Sequence, residues 1–600
     1  VRIETGKILL TGALGGNVTI ATAGTLQVGD GTTDGELLAN ALNNGTLIFN
    51  QIGDYDYTGA LSGNGGLIKQ GAGTLLLSGE YSYTGSTIVE NGFVRLTSLL
   101  DEQTDLVVDG GTFDLGGLDQ TVAGLSGSSG TLALGDGTLT VVQSSNSEFG
   151  GDLTGTGGFV KFGTGSLSFT SDSSFTGDLV INEGKVSIKS LLPADVVIND
   201  SGSLGGSGNI GSLVINDGGM VAPGYSIGTL NVAGDVTFEA GSIYEVEVDA
   251  AGNSDKLIAG GTATIEGGTV SVLAAAGNYR WTNDYVIISA AGGVTGTFDD
   301  TDVDLPFLTP YRLYSAKDVT LSLVRNDRSF LSVANTLNQR AVAGALDASD
   351  QDHMLYRSVA GQTDASGAVQ AYDALSGELW ATTGTFMIDR TRRIGDMVTG
   401  RLEQADTISR VLARNGSAAT QTRDGRTGIW GQAIGAWNNA KSNGNAASAS
   451  QSASGFITGI DTSFSDWRIG AAFSYGEDKV RVDARGSEAK VTGSSVAAYA
   501  GGGWGAMRAR IGASYNWYDV KGTRDVTFPG VSEYLSGNYD SKGWSAFGEL
   551  SYGLAFGNTL IEPFAGINHV NLKTDAFAES GGMTALDVSK VTREVTYSTL

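Results

Sequence analysis

Two histidines, His353 and His569, are all the imidazole in this 600-residue chain. Residues 1–326 hold neither, so no Ser–His–Asp triad can be assembled within that stretch, and no "GDSGS"-like nucleophile segment occurs there. Cysteine is absent, which removes Cys–His nucleophiles and His/Cys zinc centres together. Glycosidase chemistry asks only for a pair of carboxylates, and 64 Asp and Glu are available. Asp114, Glu148 and Asp152 read instead as a solvated outer face. "LSGNGGLIK" lacks the aspartate of a calcium-binding nonapeptide repeat. The sequence therefore assigns no catalytic, cofactor-binding or metal-binding residue, and the expectation is a protein that is not an enzyme and uses no cofactor.

What the chain has in abundance is repetition. "YTGALSGNGGLIKQGAGTLLLSGEYSYTGSTIVENGFVRL" (57–96) aligns without a gap to "FGGDLTGTGGFVKFGTGSLSFTSDSSFTGDLVINEGKVSI" (149–188). Gly63, Gly66, Lys69, Gly71, Gly73, Leu75, Thr84, Gly85, Gly92 and Val94 recur as Gly155, Gly158, Lys161, Gly163, Gly165, Leu167, Thr176, Gly177, Gly184 and Val186. An internal repeat of this length decides architecture. Its strands are short and punctuated by Gly, Asn, Asp or Ser. We expect a right-handed parallel β-helix over 1–220 with copies at 45–96 and 137–188. Leu75, Leu77, Leu167 and Phe169 should stack inside, and glycines should take the corners.

Composition agrees with folded β structure. Glycine reaches 91 residues, yet 40% of the chain is hydrophobic and proline numbers six. The net charge is −27 and residues 97–160 contain no Lys or Arg, so nucleic acid is excluded as a partner. Longer alternating strands follow over 221–326. After Asp327 apolar residues fall at three- and four-residue spacing, and a helix near Ile388–Leu412 carries Arg390, Arg392, Arg393, Arg401 and Arg410.

From Gly428 the pattern changes again. In "WRIGAAFSYG", Trp467, Ile469, Ala471, Phe473 and Tyr475 oppose Arg468, Gly470, Ala472 and Ser474. "AMRARIGASYNWYDV" alternates likewise, with Arg508 and Arg510 on its polar side. An apolar outer face with aromatics near strand ends and a polar inner face predict an outer-membrane β-barrel. Strands are expected near Ile429, Phe456, Ile469, Val496, Ile511, Phe547, Phe564 and Val595, and the arginine-rich helix is expected to pair with lumen carboxylates such as Glu549.

Three segments together resemble one family, the monomeric type V autotransporters of Gram-negative bacteria, in the pertactin-like branch. They are the repeat "GGLIKQGAGTLLLSG…YTGSTIVENGFVRL", the stem "GSLGGSGNIGSLVINDGGMVAPGYSIGTLNVAGDVTF" through "YVIISAAGGVTGTFD", and "AYDALSGELWATT" followed by "GIWGQAIGAWNNA". The resemblance implies a passenger (1–220), an autochaperone stem (221–326), a helical linker with a pore helix (327–427) and a translocator barrel (428–600). Family barrels have twelve strands, so the seven or eight seen here imply a barrel truncated at the C-terminus. Implied partners are outer-membrane lipid, the barrel-assembly machinery and a host-surface, matrix or sister-cell ligand for an adhesin-like passenger on a monomeric protein. Two alternatives stay open: a carboxylate hydrolase, or an inert stalk for a functional region upstream.

Overall fold

The computed structural model describes all residues except 278, 280–282, 304, 415–426 and 557–558. The chain forms two compact units, Val1–Asn326 and Asp327–Leu600.

The first unit is a parallel β-helix whose coils turn through three faces. Strand residues alternate inward and outward, so each inward side chain lands on its counterpart one coil away. One inner column runs Leu167, Val186, Leu204, Val221, Tyr244 and Val270, each paired in register with the next and each fully buried. It passes residue 220 without interruption. Leu75, Leu77, Leu167 and Phe169 all lie in the core, as the repeat predicted. Burying one such side chain contributes about 1.5–3 kcal/mol, and only the neighbouring coil supplies the apolar surface. Glycines take the tight places. Gly92 and its counterpart Gly184 adopt φ of 69° and 74°, and a Cβ there would lie 2.3 Å and 2.5 Å from the carbonyl oxygens of Gly71 and Gly163.

The repeat is not a whole number of coils. Leu67–Lys69 of the first copy shares its face, through Thr87, Leu106, Leu125 and Phe149, with Leu167–Phe169 of the second. The counterpart of Leu67–Lys69, Phe159–Lys161, lies in a different sheet. The second copy is therefore turned by one face about the solenoid axis.

Aspartates secure the corners. Asp54, Asp119, Asp195 and Asp235 accept the backbone N–H groups of Thr74, Thr138, Ser212 and Thr262 on the next coil, at 2.9, 2.8, 2.8 and 2.7 Å. These bonds hold the Asp54 and Asp235 carboxyls below the usual carboxylate range. Asp114, Glu148 and Asp152 lie at the surface in structural contacts: Asp114 faces Arg95 at 3.6 Å, Glu148 accepts from Lys189 at 2.8 Å, and Asp152 accepts from the Ser174 amide at 3.1 Å. The parallel stack ends at an antiparallel hairpin, in which Asp318–Arg325 pairs with both Asp284–Ala290 and Leu308–Tyr314.

The second unit begins with helices. Thr336 and Gln339 form a reciprocal capping box that starts α1 (Leu337–Asp347). His353 caps α2 (Met354–Ala360), and Asp364 caps α3 (Ala365–Leu375). The 37-residue α4 (Glu378–Arg414) is about 55 Å long at ~1.5 Å per residue, and it begins ten residues before the expected helix.

Eight antiparallel strands follow in sequence order: β1 (Thr427–Ala440), β2 (Ala449–Phe464), β3 (Trp467–Val482), β4 (Ser487–Trp504), β5 (Met507–Phe528), β6 (Val531–Tyr552), β7 (Phe564–Thr574) and β8 (Val591–Thr599). Each contains one of the eight expected positions. Their outer face exposes Ile469, Phe473, Tyr475, Ile511, Tyr515 and Trp517, the pattern of a sheet bathed in lipid.

Lys69 and Lys161, equivalent in the two copies, are both buried. Each ammonium donates to corner carbonyls: Lys69 to Gly71, and Lys161 to Phe162 at 2.7 Å and Gly163 at 2.6 Å. Burial pulls both down to about 8 from an ordinary 10.5. Between those values the unfolded chain binds more protons than the solenoid, so solenoid stability rises with pH. Above about pH 10 the buried tyrosines reverse the trend, because burial pushes phenols such as Tyr81 up to about 12. Urea midpoints of the chain should therefore increase from pH 7.5 to 9.5, and the double variant K69M/K161M should flatten that rise. At neutral pH each substitution should cost about 1–3 kcal/mol through the orphaned carbonyls. A wild-type midpoint independent of pH over this range would contradict the assignment.

Candidate functional site: the helix held against the strand arc

No group of His, Cys, Asp and Glu side chains able to hold a metal ion occurs among the described residues. His353 accepts the Leu355 amide at 3.2 Å as a helix cap, while His569 bonds Thr596 at 2.8 Å and lies beside Trp544. Both serve structure. The concentration of buried polar chemistry lies where α4 packs on the inner face of β1–β8.

Glycines on that face create the space. Gly455, Gly476 and Gly493 stand opposite one another across β2, β3 and β4. A Cβ on Gly493 would come within 2.8 Å of Arg390 Nε, and one on Gly476 within 3.0 Å of Arg390 Nη2. Arg390 fills this gap and donates to Asp478 at 2.9 Å and to the Gly493 carbonyl at 3.3 Å. A second socket forms at the paired Gly522 of β5 and Gly537 of β6, where a Cβ would meet the Trp380 ring at 2.6 Å and 3.0 Å. Tyr539 and Phe577 complete the walls of that socket.

Below Arg390 the contact turns apolar. Ile394, Val398 and Leu402 pack against Ile457, Ala472, Ala497, Tyr499 and Phe547. Thr391 shares a 2.7 Å hydrogen bond with Tyr518. Lower still, Arg401 donates twice to Asp461, at 2.9 and 3.2 Å, and Arg468 reaches the same carboxylate. Tyr499 donates to Asp461 at 3.3 Å and accepts from the Trp430 indole at 2.7 Å.

The expected partnership with Glu549 is corrected. Its ion pair is with Arg510 on β5, directly beside it in the sheet. Arg510 also faces Asp406 of α4 at 3.3 Å and Glu403 of α4 at 3.7 Å, so here the strands supply the cation and the helix the carboxylates. Facing alone does not decide polarity, because a long arginine on one strand reaches its neighbour as readily as the helix. Arg390 and Arg401 pair with barrel carboxylates; Arg392 pairs with Asp396 on its own helix at 3.0 Å and stacks over Tyr597. Arg393 lines the small cavity beside Asp478, and the Arg410 side chain lies outside the described residues. The glycine sockets went unread in the sequence, although their signal was present as glycines recurring at inward positions of β2–β6.

This arrangement holds a helix; it does not activate a nucleophile. The family model of the autotransporter β-domain matches residues 429–600, and the passenger-associated-transport-repeat model matches 67–96 and 159–188. Two extracellular serine proteases of Serratia marcescens are 29% and 26% identical over 500 and 504 residues, covering 75% of this chain and 47% of each relative. The chain thus spans about half the length of those curated relatives. The adhesin BmaC autotransporter of Brucella suis biovar 1 (strain 1330) is 32% identical over 165 residues, 24% of this chain and 5% of that protein. The translocator domain of autotransporter NalP from Neisseria meningitidis is 18% identical, with a TM-score of 0.28 over 35% of this chain and 68% of that one.

Removing one partner of a buried pair leaves an uncompensated charge and costs about 3–5 kcal/mol. R390M should therefore lower the temperature at which the folded β-domain converts to its slower-migrating unfolded form on gels, and the double variant R390M/D478N should recover most of the loss. Equal losses in the single and double variants would show that the pair does not hold the helix.

Proposed function

We propose that this autotransporter, whose strands form an outer-membrane translocator and whose solenoid is its surface-exposed or secreted passenger, uses the solenoid as an adhesin-like surface for host, matrix or sister-cell ligands. The observation that carries the reading is how the passenger spends its chemical groups. Its inward side chains build the core, its corner aspartates cap backbone amides, and residues 1–326 contain no histidine or cysteine. What faces outward is an extended, repeated surface, which suits binding.

The order of the parts supplies a route. The β-domain, inserted with the barrel-assembly machinery, admits the passenger as an unfolded chain. A coil needs a neighbour to bury its apolar face, so folding outside starts best where the stack is closed at one end. The hairpin at Leu308–Tyr314 and Asp318–Arg325 provides that start, because it pairs with the last coils in antiparallel fashion. Growth then runs toward the N-terminus, and each added coil draws the chain outward.

A second reading is favoured by one observation: two relatives bear the name extracellular serine protease. In that reading the solenoid is a stalk, and the catalytic residues belong to another part of a longer protein.

Expressing the complete protein in a non-adherent Gram-negative host, beside a version lacking residues 1–220, separates the two. Sedimentation between cells and attachment to matrix proteins should require residues 1–220. Display without attachment, with the passenger released by protease from intact cells, would overturn the adhesin reading and leave the stalk.

A further inference from the structure

One arginine ties together three parts of the second unit that are far apart in the chain. Arg524 lies near the end of β5 with its side chain 2% exposed, and Glu579, its partner, is 0% exposed. Its Nε and Nη2 donate to the two Glu579 carboxylate oxygens at 2.7 and 2.9 Å. Nη1 donates to the carbonyls of Ser376 at 3.0 Å and Ala374 at 3.3 Å, and Nη2 also reaches the Thr584 carbonyl at 3.3 Å. All five guanidinium donors are thus occupied. Ala374 and Ser376 bound the break between α3 and α4, where the helix-ending carbonyls lack intrahelical partners. Glu579 and Thr584 belong to the connection between β7 and β8, and Glu579 accepts the Trp380 indole as well, at 2.6 Å.

The same end of the sheet holds the preceding helices at every connection. Asn445, between β1 and β2, accepts the Asn338 amide at 2.7 Å. Arg485, between β3 and β4, pairs with Asp373 at 3.3 Å and Glu378 at 3.1 Å. The Pro529 carbonyl, between β5 and β6, accepts from Gln362 at 2.9 Å. Residues 338–380 therefore lie across the four connections at one end of β1–β8.

We propose that this rim is a register-reading latch, in which Arg524, positioned by Glu579, recognises the α3–α4 break of the exported chain and fixes where its movement stops. While passenger threads past, its unfolded chain offers Arg524 no carbonyls fixed together at the end of a helix four residues before a tryptophan. When residues 374–380 arrive, the break supplies the carbonyls, Trp380 drops into the Gly522/Gly537 socket, and the guanidinium is buried. The helices at 337–375 then settle on the connections and oppose backward slip. Arg524 is a positioning residue in this scheme. The inference rests on the direction of export, and it holds whether the passenger binds or merely projects.

These 600 residues contain no cysteine, so a single introduced thiol reports on this region in the protein displayed on intact cells. A371C places a thiol on the buried side of α3, at a position 0% exposed that makes none of the rim hydrogen bonds. A membrane-impermeant maleimide should label it slowly in the otherwise native chain and at least tenfold faster with R524A. R524K, which retains charge but loses the fork, should behave like R524A. A one-residue insertion between Ser376 and Gly377 leaves every barrel residue intact, so its effect does not depend on barrel stability. It should label as fast as R524A. Heat-modifiable migration verifies that the β-domain is folded in each case. A thiol equally protected in the insertion variant overturns the latch.

Discussion

A β-strand carries unpaired donors and acceptors along both edges, and everything in this chain follows from how those edges are covered. The solenoid covers them with its own next coil, in parallel register. The β-domain covers them with antiparallel neighbours from β2 to β7, while β1 and β8 each pair on one side only among the described residues. The two units therefore use one backbone requirement in opposite settings. In the first, apolar side chains turn inward and polar ones meet water. In the second, apolar side chains also cover the outer face, and the inner face meets a helix through both apolar and ionic contacts. The switch occurs in the helical stretch after Asp327, where neither rule applies.

Electrostatics divides the same way. In the solenoid, carboxylates are short-range acceptors for backbone amides at corners, which explains how so acidic a chain tolerates its charge: the acids are placed where a donor is waiting. In the β-domain, charge is buried and paired across the helix–strand contact. Arg390 with Asp478, Arg401 with Asp461 and Arg510 with its surrounding acids form a ladder of contacts along α4. Because such pairs are expensive to leave half-made, they favour one position of the helix over all others. Apolar packing by Ile394, Val398 and Leu402 could slide; the ion pairs could not.

Much of this was legible in the sequence. Period-two alternation located all eight strands, since the side-chain period of a strand is fixed by geometry and survives any change of partner. The inner leucines of the repeat were legible for the same reason. Side-chain partnership was less so. Glu549 faces inward as expected, yet its partner lies on the adjacent strand, a matter of register that alternation does not encode. The buried lysines were visible as recurring letters in the repeat, but burial at a corner depends on where the coil closes. Coil length varies along the stack, from Val221 following Leu204 to Val270 following Tyr244, so the turn of one face between the copies could not be read from spacing alone.

That one-face turn has a genetic consequence. Two similar stretches of coding sequence in tandem invite unequal recombination, which deletes or adds a copy. Here the exchanged length is four coils and two faces of a fifth, so a lineage that lost one copy would keep the stack's inner columns intact while swinging everything toward the N-terminus round by a third of a revolution. Shortening the gene would thus also re-aim the solenoid's N-terminal end, turning a different side of an otherwise unchanged stack to its surroundings.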